Sequence, residues 1–401
     1  MPKNLKRHGP APAGSAAPIV LGRRSSAPPA DDVIDVAPAL DCSRMTSLFG
    51  RPYPVQFRNQ GAIDAWTRAL GRTEVWRRWQ DPATLCWSIR QEVSWQLGHM
   101  HPMSLVPKEE TEKVEANRRM LAVEVSTNLK YHLNKGTVIE ATPALETLLT
   151  NSDVDLSLPM SIVAPPYRAQ YLRFGEAAMQ YLKVPASQAP DRVFDGVFCF
   201  FTPDSTRCAE GDTLWALELV FVSKRQDRYN GHVALLGETD RGSTTVGEWL
   251  DKVLDAVAGQ PADEFHRPMH AAVSYVARVF LYMALKQARV MQHPEYDEAL
   301  RRAAGLGERK RAKVLQRTAS LYNSILVGPK SLPSGAAANG TGSGVAPHWR
   351  RGHFRMQAHG VGNQQRKLIF VAPVLIHAEQ LQGEVPAPRS YRAGAAAVTG
   401  A

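Results

Sequence analysis

Two apolar runs, Val197-Phe198-Cys199-Phe200-Phe201 and Leu217-Glu218-Leu219-Val220-Phe221-Val222, decide the fold class. They read as central strands of a sheet, since a strand covered on both faces is apolar almost throughout and these short runs are rich in aromatic and β-branched residues. Around them the region 155–240 is β in character, with candidate strands Tyr167–Phe174, Arg192–Phe201, Thr213–Lys224 and His232–Glu238. Asn230-Gly231 sits between the last two and is a strong hairpin-turn signal. Short connections imply antiparallel pairing.

Helical periodicity flanks this β region on both sides. Before it, Ile63, Trp66 and Leu70, then Leu85, Ile89 and Val93, mark helices within 61–97. Trp66, Trp76, Trp79, Trp87 and Trp95 fall here beside Arg77, Arg78 and Arg90. Rings at that spacing suit core packing, and beside arginine they also suit base stacking. Residues 108–133 form an amphipathic helix with Val114, Leu121, Val125, Leu129 and Leu133 on one face. Glu109–Lys113 and Glu115–Arg119 pair on the other. Thr137–Ala141 reads as a strand, and Thr142-Pro143 as the start of a short helix. After the β region come an amphipathic helix Val246–Ala258 and an apolar helix around Ala271–Leu285. Arg278 interrupts the latter and argues against a membrane span. Glu308–Val327 reads as one basic helix, with Leu315, Leu321 and Ile325 against Arg309, Lys310, Arg311, Lys313 and Arg317. Its basic face fits a phosphate or membrane-surface contact and equally a solvated exterior. The expected fold is α/β of the α+β kind, a mainly antiparallel sheet flanked by helices and completed by a C-terminal β-hairpin.

Charge divides the chain further. Residues 1–30 carry +5 with no acid, residues 31–308 carry −6, and residues 309–378 carry +11 with no Asp or Glu. A mildly acidic body thus has a basic N-terminal tail and a basic C-terminal segment, an asymmetry that speaks of partners rather than fold. With 401 residues, 44% of them hydrophobic, a sizeable core is possible and whole-chain disorder is excluded. Apolar runs of membrane-spanning length and a secretory leader are both absent, so a cytoplasmic protein is expected. Cys42, Cys86, Cys199 and Cys208 lack zinc-site spacing and read as reduced thiols. The expected organisation is a disordered basic tail (1–47), a globular body (48–327), a flexible Gly/Ala/Ser linker (328–346), a basic β-hairpin packed on the body (347–378) and a disordered tail (379–401).

The most informative chemistry lies in Pro347-His348-Trp349-Arg350-Arg351-Gly352-His353-Phe354-Arg355, followed by His359-Gly360-Val361-Gly362 and Arg366-Lys367-Leu368-Ile369-Phe370-Val371-Ala372-Pro373-Val374. Two antiparallel strands on either side of Gly360 and Gly362 are predicted, adding to the sheet of the body, since an isolated hairpin is marginal. Arg350, Arg351 and Arg355 offer guanidinium forks suited to phosphate or carboxylate. His348 and His353 add donors, and Arg366 and Lys367 add charge. His353 and His359 are the candidate acid–base pair of a metal-free ribonuclease. A bland alternative is an edge hairpin whose cations pair with the acidic body.

This segment resembles the C-terminal motif of a type V-A anti-CRISPR family, the one that suppresses synthesis of the CRISPR effector nuclease. The matching elements are His348, Arg350, Arg351, Gly352, His353 and Phe354, then Gly360 and Gly362, then Arg366 to Pro373. Leu158-Pro159 followed by Tyr167–Phe174 is a weaker echo. Phe354 stands where the family usually has tryptophan, and the long N-terminal tail and Gly/Ala linker are additions. The resemblance implies a protein of a mobile genetic element, plasmid or phage. It implies lowered nuclease messenger and protein, with recognition tied to the nascent N-terminal segment of the nuclease during translation.

The leading expectation is therefore a non-enzymatic regulator that binds RNA, the ribosome or a nascent polypeptide, through His348, Arg350, Arg351, His353, Arg355, Arg366 and Lys367. The alternatives are the ribonuclease and a protein-docking module without nucleic-acid contact. No cofactor, metal or membrane partner is expected. His99-x-His101 in an expected loop, and Asp204 with Asp212 near Cys208, are weak metal candidates. Lys224–Arg228 reads as a charged hairpin tip. P-loop, Rossmann, HExxH and GxSxG motifs are absent.

Overall fold

A computed structural model describes residues 50–100, 107–163, 165–184, 192–203, 214–225, 228–240, 244–255, 262–318, 320–332, 337–338 and 348–376. The tails expected at 1–47 and 379–401, together with Cys42, His101, Asp204, Cys208 and Asp212, lie outside them.

The centre is a seven-stranded sheet built from β1 (Thr137–Ala141), β3 (Ala169–Arg173), β4 (Val193–Pro203), β5 (Leu214–Arg225), β6 (Arg228–Asp240), β7 (Val290–His293) and β8 (Ser324–Val327). Their order is β6-β5-β4-β3-β1-β8-β7. The β3–β4, β4–β5, β5–β6 and β7–β8 pairings are antiparallel, while β1 runs parallel to both β3 and β8. The fold is thus α+β with a mostly antiparallel sheet, as the short connections between the β segments imply. The two apolar runs occupy β4 and β5, whose side chains are buried on both faces.

Helices cover each face. On one side lie α1 (Tyr53–Asn59), α4 (Cys86–Met100) and α5 (Thr111–Leu133), packed through Tyr53, Cys86 and Tyr131 against Phe198, Phe200, Val220 and Val222. On the other lie α6 (Pro143–Thr150), α7 (Glu176–Tyr181), α8 (Val246–Asp255) and α9 (Ala262–Met283), around the larger core of Leu172, Val197, Leu219, Phe221, Trp249 and Phe280. Thr142 caps α6, its hydroxyl accepting from the Leu145 amide at 3.1 Å, with Pro143 at the first helical position. Between α1 and α4 run α2 (Ala62–Leu70) and α3 (Glu74–Gln80), which bury Trp66, Trp76 and Trp79 in mutual ring contact. For those three tryptophans the core reading holds. Trp95 stays partly exposed on α4, its ring 4.0 Å from that of His99.

Several expectations are corrected. Asn230-Gly231 is not the hairpin turn. Arg225 pairs with Arg228 at the tip, and Ser223–Asn230 is followed by Val222–His232, so Gly231 is the extra residue of a bulge. A glycine beside asparagine tolerates a bulge as readily as a turn. Glu308–Val327 is not one helix. After α10 (Glu295–Ala304), α11 (Glu308–Thr318) stops, and Ser324–Val327 crosses to β8, where Ile325 and Val327 are buried. Local periodicity carried no sign of that switch, because Leu315, Leu321 and Ile325 suit either period. Gly98 and His99 are helical within α4 and not in a loop.

The C-terminal hairpin forms, but it does not join the seven-stranded sheet. Its strands β11 (Gly352–His359) and β12 (Gln365–Val371) add onto the short β2 (Ser152–Val154), which runs parallel to β11. A third sheet contains β9 (Ala337–Ala338), β10 (His348–Arg350) and β13 (Val374–Ile376). Within the stretch expected as a linker, Ala337 and Ala338 therefore pair with Leu375 and Ile376.

Candidate nucleic-acid interface

The two C-terminal pairings are one ribbon. His348–Arg350 opposes Val374–Ile376 and His353–His359 opposes Gln365–Val371, and both segments keep a single antiparallel register. The ladder is interrupted only where Arg351 and Gly352 face Ala372 and Pro373. Proline has no N–H to give to a ladder, so the break falls where Pro373 stands. The ladder breaks there, and β2 receives the half beyond the break.

Gly352 explains itself at this break. A Cβ on it would lie 2.6 Å from Pro373 Cδ, Ser152 Oγ and the Val371 carbonyl oxygen. Its amide donates to the Asn151 carbonyl at 3.0 Å. Only a residue without a side chain lets the ribbon approach β2 so closely. At the far end the turn uses Gly360, Gly362 and Asn363, all with positive φ (77°, 65° and 57°), a conformation in which glycine is unstrained and asparagine tolerated.

Alternation sorts the side chains. Phe354 is fully buried in the main core and stacks on Phe370 with ring centroids 4.5 Å apart, while Met356 and Leu368 pack beside it. Phe370 also meets Tyr282 of α9 edge-on. The opposite face carries His353, Arg355, Gln357 and His359 on β11 and Lys367 on β12. Arg355 and Lys367 are exposed diagonal neighbours on this face, roughly 7–8 Å apart in such a geometry.

Of the residues singled out in the sequence, His353, Arg355 and Lys367 therefore share a face. His348 and Arg350 project from the upper half of the ribbon, both exposed. Arg351 sits at the break in the ladder, where its guanidinium donates to Asp153 Oδ1 of β2 at 2.5 Å. Arg366, opposite Ala358, belongs to the other face but is exposed near the tip. His353 and His359 are six residues apart on one strand. At 3.3–3.4 Å per residue they stand roughly 20 Å apart, too far to act together on one phosphodiester. Among the described residues no group of three His, Cys, Asp or Glu side chains is placed to hold a metal ion. His99 Nδ1 lies 3.0 Å from the Trp95 carbonyl. Cys86 and Cys199 are free and buried, and burial pushes both thiols up.

Position in the fold supplies what the sequence concealed. The site rests on Asp153 and Ser152, nearly two hundred residues earlier in the chain, and on the buried Arg278. The Arg278 guanidinium donates to the carbonyls of Leu149 and Ser152 and, at 3.2 Å, of Ser274. Tyr181 and Tyr275 lie beside it at 5.5 and 5.8 Å. An arginine in an apolar helix was the only signal that something there needed a cation.

No helix among the described residues is long and apolar enough to cross a membrane. No curated protein matches the chain. A crystal structure of AcrVA2 is similar over 78% of this chain and 96% of its own, at 10% identity and a TM-score of 0.41, too loose a likeness to carry an argument. The model of the AcrVA2-like family, anti-CRISPR type V subtype A2, matches residues 139–378, from the second half of β1 through the whole ribbon. Since that match spans more than half of the 401 residues, the chain belongs to the AcrVA2-like anti-CRISPR family.

Proposed function

We propose that this anti-CRISPR protein, encoded by a plasmid or phage and acting in the bacterial cytoplasm, lowers expression of a CRISPR effector nuclease by docking its C-terminal ribbon on RNA of the translation machinery. The observation that carries this reading is the exposed set Arg350, Arg355, Arg366 and Lys367 on a ribbon held rigidly to the core by Phe354 and Gly352. Guanidinium forks on a rigid strand suit phosphate oxygens, and His348 and His353 add donors alongside. Family membership supports the anti-CRISPR role.

A second reading has its own support. Among the described residues β12 is the edge of its sheet, and an extended polypeptide can add to such an edge. The nascent N-terminal segment of the nuclease is the polypeptide that fits this mode.

The test is capture of the tagged protein from bacteria translating the nuclease, with and without ribonuclease, against Arg350→Gln/Arg355→Gln/Lys367→Gln. Loss of RNA or ribosomes with the variant alone supports the RNA reading. A polypeptide retained after ribonuclease, and lost with the variant, transfers the site to the nascent chain. Unchanged capture by the variant removes the ribbon from the function.

A further inference from the structure

The helical pair α10–α11 is a second concentration of positive charge, remote in the fold from the ribbon. The ribbon packs on the α9 side of the seven-stranded sheet through Phe354. By contrast, α10 is tied to the α1 side. Tyr296 lies under the Arg58 guanidinium at 4.0 Å, and Arg58 donates to the Leu321 carbonyl at 2.7 Å.

Residues 301–317 contain Arg301, Arg302, Arg309, Lys310, Arg311, Lys313 and Arg317 against the single acid Glu308. All seven cations are exposed. Arg302 reaches Glu298 at 3.8 Å, and no ion pair to the five cations of α11 occurs among the described residues. At 100° per residue Arg309, Lys313 and Arg317 form one stripe with Lys310 at its margin, each step of four residues rising about 6 Å.

This arrangement works against the helix that carries it. Arg309, Lys310 and Arg311 occupy the first turn, where the unpaired amides and the helix dipole favour negative charge. Arg309–Lys313 and Lys313–Arg317 are like-charge pairs at i,i+4, each unfavourable by some tenths of a kcal/mol. An ordinary solvated helix mixes signs along its exposed face, as α5 does with Glu115 and Arg119. A local rule broken in the same direction five times over eleven residues points to a ligand that supplies the missing negative charge.

We infer that α10–α11 is a second binding surface, for the phosphate backbone of single-stranded RNA. A stripe of cations at regular rise matches a polyanion with regularly spaced charges. The absence of aromatic residues from α11 means contact without base stacking, hence without sequence preference. A membrane surface fits less well, since its docking helix needs a broad exposed apolar face, and among the described side chains of this pair only Leu306 in the connecting turn is a large exposed hydrophobic residue. This inference does not depend on the ribbon binding RNA. With both surfaces in use, the protein would hold RNA from two sides of its sheet.

The experiment measures fluorescence anisotropy of a labelled oligouridylate against the full chain across a salt series. It compares wild type, Arg309→Gln/Lys313→Gln/Arg317→Gln, and the ribbon variant given above. Glutamine keeps helix propensity, so the α11 variant should melt at the wild-type temperature or above it. Its affinity should fall at least about tenfold, and the slope of log K against log salt should drop by about two, near 0.7 per phosphate contact on a single strand. Wild-type affinity in the α11 variant overturns the inference, and so does a failure of the wild type to bind. Loss confined to the ribbon variant overturns it while leaving the ribbon reading intact. Displacement of the RNA by polyglutamate at equal charge concentration overturns it in favour of an acidic protein.

Discussion

The guanidinium of Arg278, inside α9, donates to the carbonyl of Ser152, the first residue of the strand that receives the C-terminal ribbon. One buried cation thus ties the helical layer to the edge on which the candidate interface is built. It also donates to the Leu149 carbonyl near the end of α6, which the amide of the C-cap residue Asn151 reaches as well.

Removing that cation takes charged donors from three carbonyls at once. Arg278→Met should cost about 2–5 kcal/mol, at about 1.5–3 kcal/mol for each hydrogen bond lost to a charged donor. Arg278→Lys should recover little, because a single ammonium does not reproduce a planar fork bonded to separate carbonyls. Denaturant unfolding measures both. A lysine variant as stable as wild type would show that charge alone is what matters there.

Gly352→Ala should loosen the ribbon without unfolding the main sheet. The added methyl meets a backbone oxygen, a proline ring and the Ser152 hydroxyl at 2.6 Å, an overpacking that typically costs about 1–3 kcal/mol. Hydrogen exchange should speed up for the amides of 353–371 and stay slow in β4 and β5. Uniform acceleration across the chain would contradict this local role.

Lys130 and Glu218 form a buried ion pair at 2.9 Å, and the same carboxylate oxygen accepts the Cys86 amide at 2.8 Å at the start of α4. Breaking either side should cost about 3–5 kcal/mol by leaving a buried charge uncompensated. The double change Lys130→Met/Glu218→Gln, which keeps an acceptor for Cys86, should cost clearly less than the two single losses combined. A double-mutant cycle measures this coupling, and additive losses would refute it.

His132 should make the fold acid-sensitive. Its Nε2 donates to the Pro54 carbonyl at 2.9 Å. Desolvation, aided by the Arg58 cation, holds its pKa down to about 3 against 6.5 in the unfolded chain. The native state therefore binds fewer protons than the unfolded one between those values. This contribution is complete above pH 6.5 and is lost progressively as pH falls below it, by up to about 1.4 kcal/mol per pH unit. His132→Gln should flatten stability between pH 6.5 and 5 relative to wild type, leaving the smaller share of His270, whose pKa burial also lowers. An unchanged slope would assign the acid sensitivity elsewhere.

The sequence by itself determined the central strands, the α5 and α6 helices, and the hairpin around Gly360 and Gly362, because each depends on neighbours within a few residues. Periodicity, a capping threonine before proline, and paired glycines are local signals. Its family motif was legible for the same reason, being contiguous from His348 to Pro373. Tertiary structure alone decided where that motif rests. β2 is three residues with no apolar pattern, and it becomes a strand because Gly352, Arg351 and Arg278 converge on it. Likewise the ladders with β1 and β7 make Ser324–Val327 a strand instead of the end of a basic helix. The bulge at Gly231 follows from the register set by the tip at Arg225 and Arg228. In each case the energy comes from residues far apart in the chain, which no local pattern records.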